Sequence, residues 1–283
     1  MRWLERFGHG RAKTDLAPAH APDNAAQMAE AFDAARNGDY ASALAIWGPL
    51  AQTGVARAQN NVGACFADGL GVARDTGLAS RWLTLAAQSR DPVGQRNLAA
   101  LYFKGEGVEQ DYARAAELYR AAAQQGDGPA QDMLSWMLLE GECIPADAIE
   151  ARRWALAAAE QGIAAAMTRV GMIYHNALGV ERDPGVAAMW WERAALRGDA
   201  DAQAMLGAAH LLGAGVAQDG IAALAWLLRA KTSGSALAEP FIASARASLP
   251  VESIAEAERR AAAPLADAPA IEAPPRAMPE RVS

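Results

Sequence analysis

Residues Gly94–Pro129 read GQRNLAALYFKGEGVEQDYARAAELYRAAAQQGDGP, two helix-like halves split by Gly105-Glu-Gly-Val108. In the first half Leu98, Ala99 and Tyr102 stand at spacings that keep them on one helical face, and Ala99 is small enough to let a neighbouring helix approach closely. Gly105 suits a left-handed C-cap, Gly107 suits a second position of positive φ, and Val108 can plug back into a core. Asp111 then reads as the N-cap of a second helix, its carboxylate accepting from exposed N–H groups. Ala115, Leu118 and Ala122-Ala123 carry that helix to Gly126.

The same design extends in both directions. Aspartate returns every 36 residues, at Asp75, Asp111, Asp147, Asp183 and Asp219, and an alanine follows four residues after each. Cutting at one phase gives five units, Ala58–Val93, Gly94–Pro129, Ala130–Ala165, Ala166–Asp201 and Ala202–Leu237. A period of this length marks stacked helical hairpins, none of which can hide its apolar face alone. The second helices carry Trp82, Leu118, Trp154, Trp190 and Trp226 at one position, which reads as packing. In the pair Trp190-Trp191 one ring is expected to point away from the core, and Trp191 is the less regular of the two. Four residues break the pattern: Cys143 at the second glycine slot, Ala177 at the first, His210 at the aromatic slot and Arg90 at the terminal glycine. The third turn, with Cys143, is expected to differ locally.

These residues resemble the Sel1-like repeat family, related to tetratricopeptide repeats, whose motif Gly94–Pro129 meets most fully. The resemblance covers Ala58 to Leu237 and implies an all-α, right-handed α-solenoid of stacked helix-turn-helix repeats. Around it the expected organisation is a mobile N-terminal segment at 1–23, a tetratricopeptide-like capping hairpin at 24–57, the five repeats at 58–237, a helical cap at 238–263 and a disordered Ala/Pro-rich tail at 264–283.

Composition narrows the function. A formal net charge of −7, with Lys and Arg scattered among Asp and Glu, argues against nucleic acid. No stretch approaches the roughly 18 apolar residues of a membrane span, and the start of the chain lacks the apolar core of a secretory signal, so a cytoplasmic protein is expected. Cys65 and Cys143 lie two units apart and read as free thiols. The histidines His9, His20, His175 and His210 have no metal or triad spacing, and neither a phosphate loop nor a nucleophile elbow is present. No catalytic residue, metal or cofactor is therefore predicted.

What remains is a surface. By resemblance to tetratricopeptide-type solenoids, four positions on the first helix of each unit should face a concave groove. From these the protein-binding candidates are Asn60, Arg96, Phe103, Lys104, Trp136, Leu139, Glu140, Met172, His175 and Asn176. Phe103, Trp136, Leu139 and Met172 would anchor a peptide or helix of a protein partner, and Arg96, Lys104, Glu140 and His175 would select it. The expected role is a non-enzymatic adaptor or regulatory scaffold. Two rivals stand beside it. One is β-lactam binding or hydrolysis, which the resemblance links to a cysteine-rich subgroup whose paired cysteines are missing here. The other is peripheral membrane attachment through Met1–Phe7, where Trp3, Leu4 and Phe7 fall near one helical face beside Arg2 and Arg6.

Overall fold

The structure, a computed structural model, describes residues 21–265. The segments 1–20 and 266–283, and with them the expectations for Met1–Phe7 and for most of the tail, lie outside the described residues. Within them the chain is all-helical, with fourteen α-helices, one short 3-10 turn at Ala236–Ala238 and no strand. The chain divides into two compact units, one ending at Ala130 and the other beginning at Gln131.

The first unit holds α1 (Ala21–Arg36), α2 (Tyr40–Gln52), α3 (Ala56–Asp68), α4 (Thr76–Gln88), α5 (Pro92–Lys104), α6 (Tyr112–Gln124) and the start of α7 (Gly128–Glu140). Each helix from α1 to α5 packs on the next, and α3 also packs on α5. Leu44, Trp47, Val62, Phe66, Trp82, Leu83, Leu98, Leu118 and Tyr119 are buried among a larger number of buried alanines. Alanine carries little apolar area to bury, so close helix approach and a few large rings supply most of the hydrophobic stabilisation.

The second unit holds the rest of α7, α8 (Ala148–Glu160), α9 (Ala164–His175), α10 (Pro184–Ala195), α11 (Ala200–Leu212), α12 (Gly220–Thr232), α13 (Glu239–Ala247) and α14 (Val251–Ala262). The helices from α8 to α12 also pack sequentially, and α12 receives both α13 and α14. Arg229 reaches the last turn of α14, donating to the carbonyls of Arg260 at 2.7 Å and Ala263 at 2.6 Å. Those are carbonyls that a helix end leaves without an intrahelical donor.

All five repeating aspartates cap their helices. Asp75, Asp111, Asp147, Asp183 and Asp219 accept from the N–H of Leu78, Arg114, Glu150, Val186 and Ala222 at 2.8 to 3.0 Å. Their own N–H groups donate back to Phe66, Tyr102, Leu138, Tyr174 and His210, which closes each turn. The turn glycines hold positive φ, and so do the two substitutes, Ala177 at 58° and Arg90 at 59°. In the third turn Gly141 is left-handed and Cys143 is not. The Asp147 to Leu138 bond survives there, so the local change leaves the hairpin closed.

One expectation is corrected. Trp190 and Trp191 are both buried, 1% and 3% exposed. Trp190 fills the regular slot with Arg193 over its ring at 4.8 Å. Trp191 takes the position held by Leu83, Tyr119 and Leu227 in other repeats, and is accommodated because Gly171 opposite has no side chain. A Cβ on Gly171 would lie 2.3 Å from the Trp191 Nε1. A helix that packs on partners to two sides can bury adjacent residues, which the one-face reading did not allow.

Candidate partner-binding face

The candidate residues sit on first helices of the repeats, α3 and α5 in the first unit and α7 and α9 in the second, with Asn176 as the C-cap of α9. In the first unit Asn60 is only 3% exposed. Its Oδ1 accepts from Asn97 Nδ2 at 2.8 Å, and its Nδ2 donates to Asn61 Oδ1 at 3.1 Å. Arg96 grips both carboxylate oxygens of Asp127 at 3.0 and 2.8 Å. Phe103 is half-buried, edge-on to Tyr112 with centroids 5.3 Å apart, and Lys104 is exposed.

In the second unit Asp132, which occupies the position of Asn60, pairs with Arg169 at 2.9 Å, and both side chains are largely buried. Trp136 is half-buried, while Leu139 packs against the core that contains Trp190 and Trp191. Met172 is 40% exposed, and Glu140 and Asn176 are exposed. The His175 ring lies 5.3 Å from that of Trp191, and its Nδ1 is buried without a hydrogen-bond partner. Next along this face, Leu212 projects from the end of α11 with 68% of its surface exposed. It stands at the repeat position of Lys104, Glu140 and Asn176.

A second set of residues, not singled out from the sequence, organises this face. Asp91, Asp127 and Asp199 cap the first helices, accepting from Gly94, Ala130 and Ala202. Each also takes a side chain from the preceding first helix: Arg57 at 2.9 Å, Arg96, and Thr168 at 2.9 Å. Ser235 stands at the same position in the last repeat and donates to Asp201 at 2.6 Å. A buried glutamine recurs at 36-residue spacing as Gln59, Gln95, Gln131 and Gln203, with Met167 in the fourth place. Gln95 and Gln131 accept from Gln125 and Gln161 at 2.7 and 2.8 Å. The periodicity of Asp91, Asp127 and Asp199 was the available signal, interrupted by Ile163.

These bonds tie the repeats together and consume the polar groups of Asn60, Arg96, Asp132 and Thr168. Met172 and Leu212 project large apolar surface beside the exposed charges and amides. Among the described residues no group of three or more His, Cys, Asp or Glu could hold a metal ion. Both cysteines are free, and burial pushes the Cys65 thiol up to about 11. No helix among the described residues is long and apolar enough to cross a membrane.

The Sel1 repeat model matches five consecutive segments, residues 56–91, 92–127, 128–163, 164–199 and 200–235. A Sel1 repeat protein from Oxalobacter formigenes has a similar structure, with a TM-score of 0.69 at 27% identity over 75% of this chain and 88% of that one. A Sel1 repeat protein from Klebsiella pneumoniae subsp. pneumoniae gives 0.45 at 19% identity over 71% and 97%. A protective antigen of uropathogenic Escherichia coli strains with an SLR fold gives 0.38 at 24% identity over 84% and 68%. No curated protein matches the chain. With five adjacent matches covering more than half its length, the chain belongs to the Sel1 repeat family, an all-α solenoid family that generally mediates protein–protein interaction.

Proposed function

We propose that the chain is a non-catalytic scaffold that holds a peptide or helix of a protein partner on the exposed face of its first helices. The observation that carries this reading is the exposure of Met172 and Leu212. Both are large apolar residues left in water on adjacent first helices of the second unit, where the neighbouring polar groups are already engaged inside the protein. Contiguous apolar patches rimmed by polar residues mark interaction sites, and interfaces concentrate their energy in a few large anchors. Trp136 and His175 extend the surface, and Glu140 and Asn176 supply charge and hydrogen bonds at its edge. In the first unit Phe103 and Lys104 take the corresponding places.

A photo-cross-linking residue placed at Met172 or Leu212 tests this in cells. Capture of one protein partner at both positions, and not at Ile149, is the expected result. Ile149 is as exposed as Leu212 but stands on a second helix. Equal capture at Ile149, or none at the first two positions, would reject the face.

A further inference from the structure

A cleft of about 160 Å³ lies between α12 and the last turn of α14, lined by Ala222, Ala225, Trp226, Arg229 and Arg260. The four α12 residues share one helical face. Space opens there because two of them are short. In the four earlier repeats the position of Ala222 holds Leu78, Arg114, Glu150 and Val186, and that of Ala225 holds Arg81, Glu117, Arg153 and Met189.

The walls are set in place by the rest of the unit. Trp226 is half-buried, its ring packed against the core that contains Trp190. Arg229 lies over that ring, 5.9 Å from its centroid, and its Nη2 is held by the carbonyls of Arg260 and Ala263. No carboxylate meets Arg229 among the described residues, and the negative end of α14 offsets its charge only in part. The exposed Arg260 donates through Nε to Glu256 at 2.8 Å. Its two Nη groups, like Nε and Nη1 of Arg229, have no partner among the described residues.

We propose that this cleft binds a small aromatic carboxylate. Guanidinium groups recognise a carboxylate through paired N–H donors, and an indole offers a flat apolar face to a ring. An apolar cavity of roughly 150 Å³ takes one benzene ring. The volume here therefore admits a single ring against Trp226 and the two alanines, with its carboxylate at Arg260 and Arg229. Because Arg229 and Trp226 are anchored beforehand, binding orders little besides the Arg260 side chain. A bare inorganic anion would leave the apolar half of the cleft unused.

Titration of benzoate into the full isotope-labelled chain at fixed ionic strength, followed by NMR at the Trp226 indole N–H, tests the assignment. Trp226→Phe identifies that signal. A saturable shift with a dissociation constant of about 1 mM is expected. Benzamide, which has the same shape without the charge, should bind about tenfold more weakly or worse, and inorganic phosphate should give no saturable shift. Arg260→Gln should weaken benzoate binding about tenfold while leaving the melting temperature unchanged, since Arg259 still meets Glu256. Ala222→Leu, which restores the residue type of the first repeat, should abolish binding by filling the cleft. No saturable shift with benzoate, equal binding of benzamide or phosphate, or binding unaltered by Arg260→Gln or Ala222→Leu would overturn the proposal.

Discussion

Arg96 and Asp127 form a two-pronged ion pair at a repeat junction, and the carboxylate that receives Arg96 also caps the helix that begins the next repeat. The Asp127 side chain is only 6% exposed, so it depends on these donors for its charge to be tolerated. Arg96→Ala should cost about 2–3 kcal/mol in urea unfolding, and Asp127→Ala a similar amount because the cap is lost as well. The double variant should cost clearly less than the sum. Strict additivity would mean that the two side chains act independently and that the junction is held by packing alone.

The turns make opposite predictions for residues that look alike in the repeat. Ala177 and Arg90 occupy left-handed backbone that glycine takes freely, at a cost of roughly 1 kcal/mol each. Ala177→Gly and Arg90→Gly should therefore each stabilise the fold by up to about 1 kcal/mol, less the entropy that glycine adds to the unfolded chain. At Gly107 a Cβ would sit 2.1 Å from the carbonyl oxygen of Thr76 on α4. Gly107→Ala should destabilise by about 3 kcal/mol, since strain and backbone collision act together. Thermal melts of the three variants check both signs.

Alkaline stability follows from two buried acids. Burial pushes Tyr119 up to about 12, against the opposing pull of the Arg96 cation, and Cys65 up to about 11. Both groups are therefore neutral in the folded protein at pH values where the unfolded chain ionises. Their contribution is complete below the unfolded values and disappears as pH rises, between about 9 and 11 for Cys65 and about 10 and 12 for Tyr119. For Tyr119 the loss should reach about 2–3 kcal/mol. Unfolding of Tyr119→Phe followed from pH 9 to 12 should show a shallower decline than wild type. Parallel curves would mean that the phenol ionises as freely in the folded state as in the unfolded one.

The hairpins, their turns and the caps of the second helices could be read from residues because each depends on local chemistry that repeats without interruption. Asp111 must follow a turn and precede a helix, and Gly105 must be left-handed, whichever neighbour is present. The ladder through Asp91, Asp127 and Asp199 was harder to see, because Ile163 breaks it and its side-chain partners stand about 30 residues earlier, on another helix. Buried glutamines such as Gln95 and Gln131 mimic surface residues in any polarity count, and only the helix packed above shows that their amides are enclosed. For the binding face, helical phase alone places Arg96 and Lys104 on one surface. Asp127, 31 residues later, is what engages Arg96 while Lys104 stays in water.

Trp191 carries the sharpest test of the packing. Its ring is bounded by Gly171 and His175, and its N–H donates to the Thr168 carbonyl at 3.3 Å. Gly171→Ala places a methyl group inside the ring's volume and should cost about 2–3 kcal/mol. In a Trp191→Leu background the same methyl group meets a smaller and more adaptable side chain. Leucine is already the residue opposite Gly63 and Gly207, where an added Cβ would lie 2.8 Å from Leu83 and Leu227. The Gly171→Ala penalty should therefore shrink by at least about 1 kcal/mol in that background, although Trp191→Leu is itself destabilising through lost ring contacts. An unchanged penalty would place the cost in the α9 backbone and remove Trp191 as the reason for the glycine.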